Sequence, residues 1–399
     1  MRRVTVVCAS LAGGGAERVA ADLCRYLVEQ GRDVTLLTLM GDDADDYECP
    51  EGVRRVRMEI RRAPPSLLHR VWYLFGRVLA VRRKLIVLKP DVVVTFMDKV
   101  NMLVLIALFG TGIPVIVSER VHPGHNPIAR LWFWARQVIY PLARSVTVQT
   151  EEGAEWFRRK SLVKHPIVIP NAVRYRRDLE ALSAVVLDEA RHPFVLAIGR
   201  LDKQKGFDLL LEAFSRSGLP GAGWSLVILG RGGELAALKQ QAAALGIANA
   251  VTFAGFVEVG PWLAQADLFV LSSRFEGFPN ALMEAMQMQR ACISFDCLSG
   301  PSDLIENEQN GVLVAPQDVA ALSEALKRLA ADPALRSRLG AEAGKVSERF
   351  SHTRIYGKWL ALIDAVAAGK AGARLASFFA ASVTWQFDHE TQGSRAGEG

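Results

Sequence analysis

Two glutamates eight residues apart, Glu276 and Glu284, bracket the segment Glu276-Gly277-Phe278-Pro279-Asn280-Ala281-Leu282-Met283-Glu284. Carboxylates accept hydrogen bonds from sugar and ribose hydroxyls. Side chains on a helix lean toward its N-terminus, so Glu284 can share a space with Glu276 of the preceding loop. Pro279 suits the first turn of that helix, and free amides at a helix start can hold an anion. The same pair also fits a plainer role as complements to the helix dipole. A second constellation is Gly199-Arg200-Leu201-Asp202-Lys203-Gln204-Lys205-Gly206. Arg200 offers a planar fork of donors and Lys205 a mobile point charge, a combination able to bracket a pyrophosphate. A solvated charged loop is the alternative. The stretch Gly13-Gly14-Gly15-Ala16-Glu17-Arg18 would let backbone approach a phosphate or sugar, or would simply make a tight turn. It is not the G-x-G-x-x-G dinucleotide fingerprint, which weighs against a nicotinamide enzyme. Ser118-Glu119-Arg120-Val121-His122-Pro123 projects Arg120 and His122 from a strand end, unless His122 is structural.

These residues sit between elements that alternate regularly. Apolar runs at 4–10, 33–39, 91–96, 114–118 and 145–149 read as strands, with helical spacing between them. Ala20, Leu23, Cys24 and Leu27 mark one helix face, and Gly31 ends that helix. A second series begins at Phe194, with strands expected at 194–198, 225–229, 251–253, 267–272, 291–295 and 311–314. Helices are expected at 207–215, 234–245 and 280–288. Strand–helix–strand alternation implies parallel sheets covered on both faces. The fold class is therefore α/β, with two Rossmann-like doubly wound domains facing a cleft at the carboxyl ends of their strands. The expected division is 1–172 for an acceptor-binding domain and 173–350 for a donor-nucleotide domain, with the junction around 171–193. A helix over 351–370 would pack back on the N-terminal domain, and 371–399 would be a partly disordered tail.

The 399 residues are half hydrophobic and 23% charged, as in a globular protein of two domains. The five cysteines Cys8, Cys24, Cys49, Cys292 and Cys297 lack metal-ligand spacing and suggest reduced thiols in a cytosolic protein, with no metal site. No secretory signal is visible, and Gly110, Gly112 and Pro114 break the most apolar stretch, 100–117, before it could span a membrane. Residues 1–190 carry 28 Lys and Arg against 21 Asp and Glu, and the remainder 20 against 21. The basic half points to an anionic partner. No nucleic-acid motif accompanies the charge. Instead, 67–88 mixes Arg70, Arg77, Arg82, Arg83 and Lys84 with Trp72, Tyr73, Leu74 and Phe75. The stretch 128–143 adds Arg130, Trp132, Phe133, Trp134 and Arg136. Basic-aromatic helices of this kind can lie on an anionic membrane. Peripheral attachment to the inner leaflet and a lipid-diphosphate-linked saccharide acceptor are expected, with Arg70, Trp72, Arg77 and Arg120 on that side. An ordinary helix pair, aromatics inward and Arg in water, is the other reading.

Taken together, the motifs resemble glycosyltransferase family 4 (group 1), retaining enzymes of the GT-B fold, from Gly13 to about Phe350. Glu276 to Glu284 matches the family's Glu-x7-Glu pattern. Ser272-Ser273-Arg274-Phe275, Gly300-Pro301-Ser302-Asp303-Leu304-Ile305, Asn310-Gly311-Val312-Leu313-Val314, Gly199–Gly206 and Pro170-Asn171-Ala172-Val173 fit it as well. The resemblance implies a nucleotide diphosphate sugar donor, by family UDP-linked, carrying a hexose or N-acetylhexosamine, and no metal cofactor. It implies that Arg200 and Lys205 hold the diphosphate, Glu284 the ribose hydroxyls and Glu276 the transferred sugar. Backbone at Phe278 and Asn280 beside Pro279 would touch sugar and phosphate, Gly14 and Gly15 would close the cleft, and His122 would sit near the sugar. The motif around His122 departs from the commoner family pattern. A sugar-nucleotide epimerase of the same fold and a non-catalytic carbohydrate- or lipid-binding protein are the rival readings.

Overall fold

Short apolar runs build the two sheets of the computed structural model, which describes residues 2–12, 14–40, 45, 47–58, 67–121, 124, 130–173, 185, 187 and 192–382. In the first half, β1 (Arg3–Cys8), β2 (Asp33–Thr38), β3 (Arg54–Arg57), β4 (Val92–Phe96), β5 (Val115–Ser118), β6 (Ser145–Val148) and β7 (Ile167–Val168) form one sheet in the order β3-β2-β1-β4-β5-β6-β7. In the second half, β8 (Phe194–Ile198), β9 (Ser225–Leu229), β10 (Val251–Gly255), β11 (Leu268–Leu271), β12 (Ala291–Phe295) and β13 (Val312–Val314) form another, ordered β10-β9-β8-β11-β12-β13. The paired strands are parallel, with Val4 opposite Val34 and Val92, and Phe269 opposite Leu196 and Cys292. Parallel strands need crossovers, and helices on both faces demand continuous rather than alternating apolar residues. Val92–Phe96, buried throughout, shows this directly. In each sheet the order reverses beside the first strand, between β1 and β4 and between β8 and β11. Ligands of such folds bind outside the carboxyl ends of the strands at that point.

The edge strand β3 escapes the apolar pattern and reads Arg-Arg-Val-Arg, because an edge strand need not bury both faces, while the other edge strand, β7, is the short apolar pair Ile167–Val168. Helix α1 (Gly15–Glu29) follows β1 and buries Ala20, Leu23, Cys24 and Leu27 along one face. Helices α2 (Leu67–Leu88), α3 (Asp98–Leu108) and α4 (Arg130–Ile139) belong to the same domain. Helix α5 (Asn280–Gln287) follows β11 in the second. All five cysteines are free thiols, and Cys8, Cys24, Cys292 and Cys297 are buried.

The chain then returns to its first domain. Helix α6 (His352–Ala367) buries Ile355, Tyr356, Trp359, Leu362, Ile363 and Val366 in the core that also holds α1, β1 and β4. Trp359 is fully buried and lies 5.9 Å from the Phe96 ring, while Tyr356 lies 5.8 Å from Tyr26. Asp364 accepts from Arg2 at 2.7 Å and from Arg32 at 2.8 Å, fixing the far end of α6. Trp359→Ala is expected to cost about 3–5 kcal/mol of stability. A urea-unfolding curve checks this, and a loss below about 1 kcal/mol would show that α6 carries little of the core.

Past residue 370 the structure departs from the expected irregular tail. Helix α7 (Gly372–Ser382) forms there, with Leu375 and Phe379 buried one turn apart in the same core as α6. Its apolar signal spans barely more than two contacts, too short to register as a period. Residues 383–399 lie outside the described residues.

Candidate active site

The cationic loop leaves β8 at Gly199. Lys203–Lys205 makes one tight turn, closed by Asp202, whose carboxylate accepts from the Lys205 amide at 3.3 Å. Gly206 then takes φ +63, and a Cβ there would stand 2.1 Å from the Ser272 carbonyl oxygen. Only glycine meets both conditions without a shift. The loop after β11 grips this turn at several points. Ser272 Oγ donates to the Lys205 carbonyl at 2.9 Å, Gln204 Nε2 donates to the Phe275 carbonyl at 3.0 Å, and the Arg274 amide donates to Gln204 at 2.8 Å. The Arg274 guanidinium binds Asp208 with both nitrogens, at 2.8 and 2.6 Å, and donates to the Lys203 carbonyl at 2.7 Å. That fork holds the Asp208 carboxyl below the usual range.

The two loops thus present one fixed pair. Lys205 Nζ lies 2.6 Å from Glu276 Oε1, with the side chains 17% and 8% exposed. Ser273 Oγ donates to the same oxygen at 2.6 Å. Arg200 behaves differently. Its side chain is 70% exposed, and its guanidinium reaches Asp202 at 3.2 Å and Gln204 at 3.4 Å within its own loop. Burial raises the Glu17 carboxyl above its usual range, opposed by the charges of Arg120 and Arg200.

Helix α5 opens at Asn280, with Pro279 as the extended residue just before it rather than inside its first turn. Glu284 is buried on α5, and its partner is Arg18 of α1, so this ion pair crosses from one domain to the other. The two glutamates of the motif therefore meet different cations, one within the domain and one across the cleft. Gly15 sits so close to Asn280 that a Cβ would stand 2.7 Å from Asn280 Nδ2. Asn171 Nδ2 donates to Asn280 Oδ1 at 2.6 Å, and the Thr150 and Ser299 hydroxyls are 2.8 Å apart. Residues after β1, β6 and β7 thereby seal against those after β11 and β12. Phe278 faces away from the cleft, buried 5.5 Å from the Phe350 ring, which leaves its backbone as the part nearest the site.

Arg120 corrects an expectation. It is not exposed on a membrane-facing surface but lies in the seam between the domains. It is buried, donates to Asn171 Oδ1, and lies 5.5 Å above the Phe96 ring. Burial pushes its guanidinium down to about 10. The end of β5 turns into the domain seam rather than out to solvent, and the cation goes with it. Beside it Glu119, also buried, accepts from the Tyr140 hydroxyl, which in turn accepts from Asn101 Nδ2 at 3.1 Å. Burial pushes the Glu119 carboxyl up to about 7, against the opposing charge of Arg136. Sequence reasoning missed this network, whose members come from α3, β5 and the end of α4. It also missed Arg18, Ser273, Asn171 and Arg274 as site residues. Of the other expected residues, Gly14 precedes α1, Trp72 is 75% exposed on α2, and Arg77 lies 5.6 Å from the Tyr73 ring. His122 and the Arg70 side chain lie outside the described residues.

A cavity of about 590 Å³ opens at the amino ends of β5 and β6, away from the carboxyl ends that face the cleft, lined by Phe109, Arg144, Leu162 and Lys164. Among the described residues no helix is long and apolar enough to cross a membrane.

Comparison with known proteins follows the same division. Residues 14–172 match the family model described as "Glycosyl transferase 4-like domain", and residues 180–346 match "Glycosyl transferases group 1". A GalNAc-alpha-(1->4)-GalNAc-alpha-(1->3)-diNAcBac-PP-undecaprenol alpha-1,4-N-acetyl-D-galactosaminyltransferase of Campylobacter jejuni is 27% identical over 92% of this chain and 99% of its own. A second enzyme of that organism, an N-acetylgalactosamine-N,N'-diacetylbacillosaminyl-diphospho-undecaprenol 4-alpha-N-acetylgalactosaminyltransferase, is also 27% identical, over 89% and 97%. Among solved structures, sucrose-phosphate synthase from Thermosynechococcus elongatus superposes with TM-score 0.79 at 20% identity, covering 93% of this chain and all of that one. Anabaena HepE in complex with UDP and glucose superposes with TM-score 0.74 at 18% identity, covering 91% and 100%. Twin nucleotide-type domains, matched by the two family models over more than four fifths of the chain, show that it belongs to the family 4 (group 1) glycosyltransferases, has the GT-B fold and is a glycosyltransferase.

Proposed function

We propose that this enzyme transfers a hexose or N-acetylhexosamine, with retention of configuration, from a UDP-linked donor to a saccharide carried on a lipid diphosphate. The observation that carries the reading is the pre-placed Lys205–Glu276 pair, held by two interlocked loops at the switch point of the second sheet. The named acceptors of the two Campylobacter relatives and the UDP in the Anabaena structure support the choice of substrates.

Breaking a glycosyl–phosphate bond leaves positive charge on the sugar and negative charge on the departing diphosphate. Lys205 and Arg200 stabilise the diphosphate. An ammonium has three donors, so Lys205 can keep Glu276 and still take a phosphate oxygen. Because its stem and partner are already fixed, little reorganisation accompanies the reaction, the condition under which such electrostatics act most strongly. Glu276 contacts the transferred sugar, and Glu284 accepts from the ribose hydroxyls. The acceptor attacks from the face that the diphosphate leaves, and the leaving phosphate takes its proton. The paired-carboxylate rules of glycoside hydrolysis do not apply to Glu276 and Glu284, since neither acts as nucleophile. The two cations take the place of a metal ion, so turnover should survive EDTA.

Turnover of a panel of sugar nucleotides with lipid-diphosphate-linked saccharides tests the assignment. Transfer from a UDP-sugar supports it. An epimerised sugar nucleotide formed without acceptor contradicts it.

The acceptor side is α2 and α4, where Trp72, Phe75, Trp132 and Trp134 are exposed. These rings and the basic excess of the first half support peripheral attachment to the inner face of the plasma membrane. In vesicle flotation at low salt the protein should rise with anionic vesicles, and Trp72→Ser should weaken the partition coefficient about tenfold. Protein that stays in the soluble fraction contradicts the attachment.

A further inference from the structure

Arg18 has no task in the reaction as drawn, yet its position is costly to maintain. Its side chain is 16% exposed, and it meets Glu284, itself 10% exposed, across the domain boundary. Burial opposes the charged guanidinium, and the carboxylate beside it raises its pKa again. Removing the partner from such a pair leaves a buried uncompensated charge. A donor whose ribose engages Glu284 sets this problem for Arg18, because ribose hydroxyls bring no negative charge in exchange for the carboxylate they occupy. The donor supplies that charge from the same ribose, in the diphosphate on its 5′ oxygen.

The geometry puts this group within reach of the same helix. Arg18 lies in the second turn of α1, whose start at Gly15 touches Asn280, the first residue of α5. Asn280 lies between Glu276, which holds Lys205, and Glu284, which holds Arg18, so α1 opens against the segment that carries both glutamates. A guanidinium carries five donors in a planar fork and can leave one on a carboxylate while another turns to a phosphate oxygen.

We propose that Arg18 is a donor-binding residue that reaches from the N-terminal domain onto the nucleotide diphosphate. The proposal rests on the reading in which Glu284 holds the ribose. It adds a third cation to the leaving group.

The test is the affinity of full-length protein for UDP and for uridine, or for the diphosphate and nucleoside of whichever base the wild type binds, measured for wild type, Arg18→Gln and Arg18→Lys. Arg18→Gln should lose about tenfold or more in diphosphate affinity. Its nucleoside affinity should stay within about twofold, and Arg18→Lys should recover part of the loss. Equal losses for both ligands would make Arg18 a purely structural tie, and tighter diphosphate binding would make it a latch that competes with the donor. Either result overturns the proposal. Arg18→Lys that matches wild type in thermal stability but shows the full diphosphate loss of Arg18→Gln also overturns it, since a retained cation should count. Full uridine affinity in Glu284→Ala would sink the ribose assignment, and the proposal with it, by a result separate from any obtained on Arg18.

Discussion

Lys205→Ala is expected to lower kcat by about 10²–10³-fold, the usual cost of removing one preorganised donor from a developing anion. The loss should fall mainly on kcat, because the charge that Lys205 stabilises grows as the glycosyl–phosphate bond breaks. The substitution has a second consequence. Glu276 would keep only the Ser273 hydroxyl of its two partners named here, in a site where its side chain is 8% exposed. A stranded buried carboxylate is destabilising, so the unfolding midpoint should fall as well. Lys205→Arg keeps the charge without the compact ammonium geometry and should restore stability more than turnover. A Lys205→Ala enzyme within about threefold of wild-type kcat would place the diphosphate elsewhere.

Gly206→Ala should damage catalysis without touching a charged group. The residue holds φ +63, where an alanine costs about 1–2 kcal/mol. The added Cβ would also stand 2.1 Å from the Ser272 carbonyl oxygen, so the turn bearing Lys205 must move away from the loop bearing Glu276. Displacements of about 1 Å at a catalytic group can cost about 10²-fold in rate. We expect that loss in kcat with the fold retained, read from steady-state kinetics beside a circular dichroism melt. Unchanged kcat would mean that the interlocking of the two loops is dispensable.

The two predictions concern residues that the amino-acid sequence already singled out, and the reason is local. Gly199 to Gly206 and Glu276 to Glu284 each lie within one strand-to-helix connection, so their chemistry is written in consecutive residues. The sheets were legible for a related reason. Strands such as Val92–Phe96 are covered on both faces and must be apolar throughout. The edge strand Arg54–Arg57 carries no such demand, and among the described side chains the short helix Gly372–Ser382 buries Leu375 and Phe379. What could not be read was whatever depends on the approach of the two domains. Arg18 and Glu284 are 266 positions apart, and Thr150 meets Ser299 across 149. Neither spacing follows from any helical or strand period. Arg120 shows the same limit from the other side. Its strand-end position points it toward the cleft, but the domain contact that buries it against Phe96 and Asn171 is not written in the strand. The Glu119–Tyr140–Asn101 chain of hydrogen bonds likewise joins three separate segments beneath that seam.

Competition binding of uridine mono- and diphosphate to wild-type and Lys205→Ala protein tests most directly whether the cleft holds a leaving diphosphate. The diphosphate should bind wild type at least about tenfold more tightly than the monophosphate, and Lys205→Ala should remove most of that advantage. Equal affinities for the two nucleotides in wild type, or an advantage that survives in Lys205→Ala, would contradict a diphosphate seat built on Lys205.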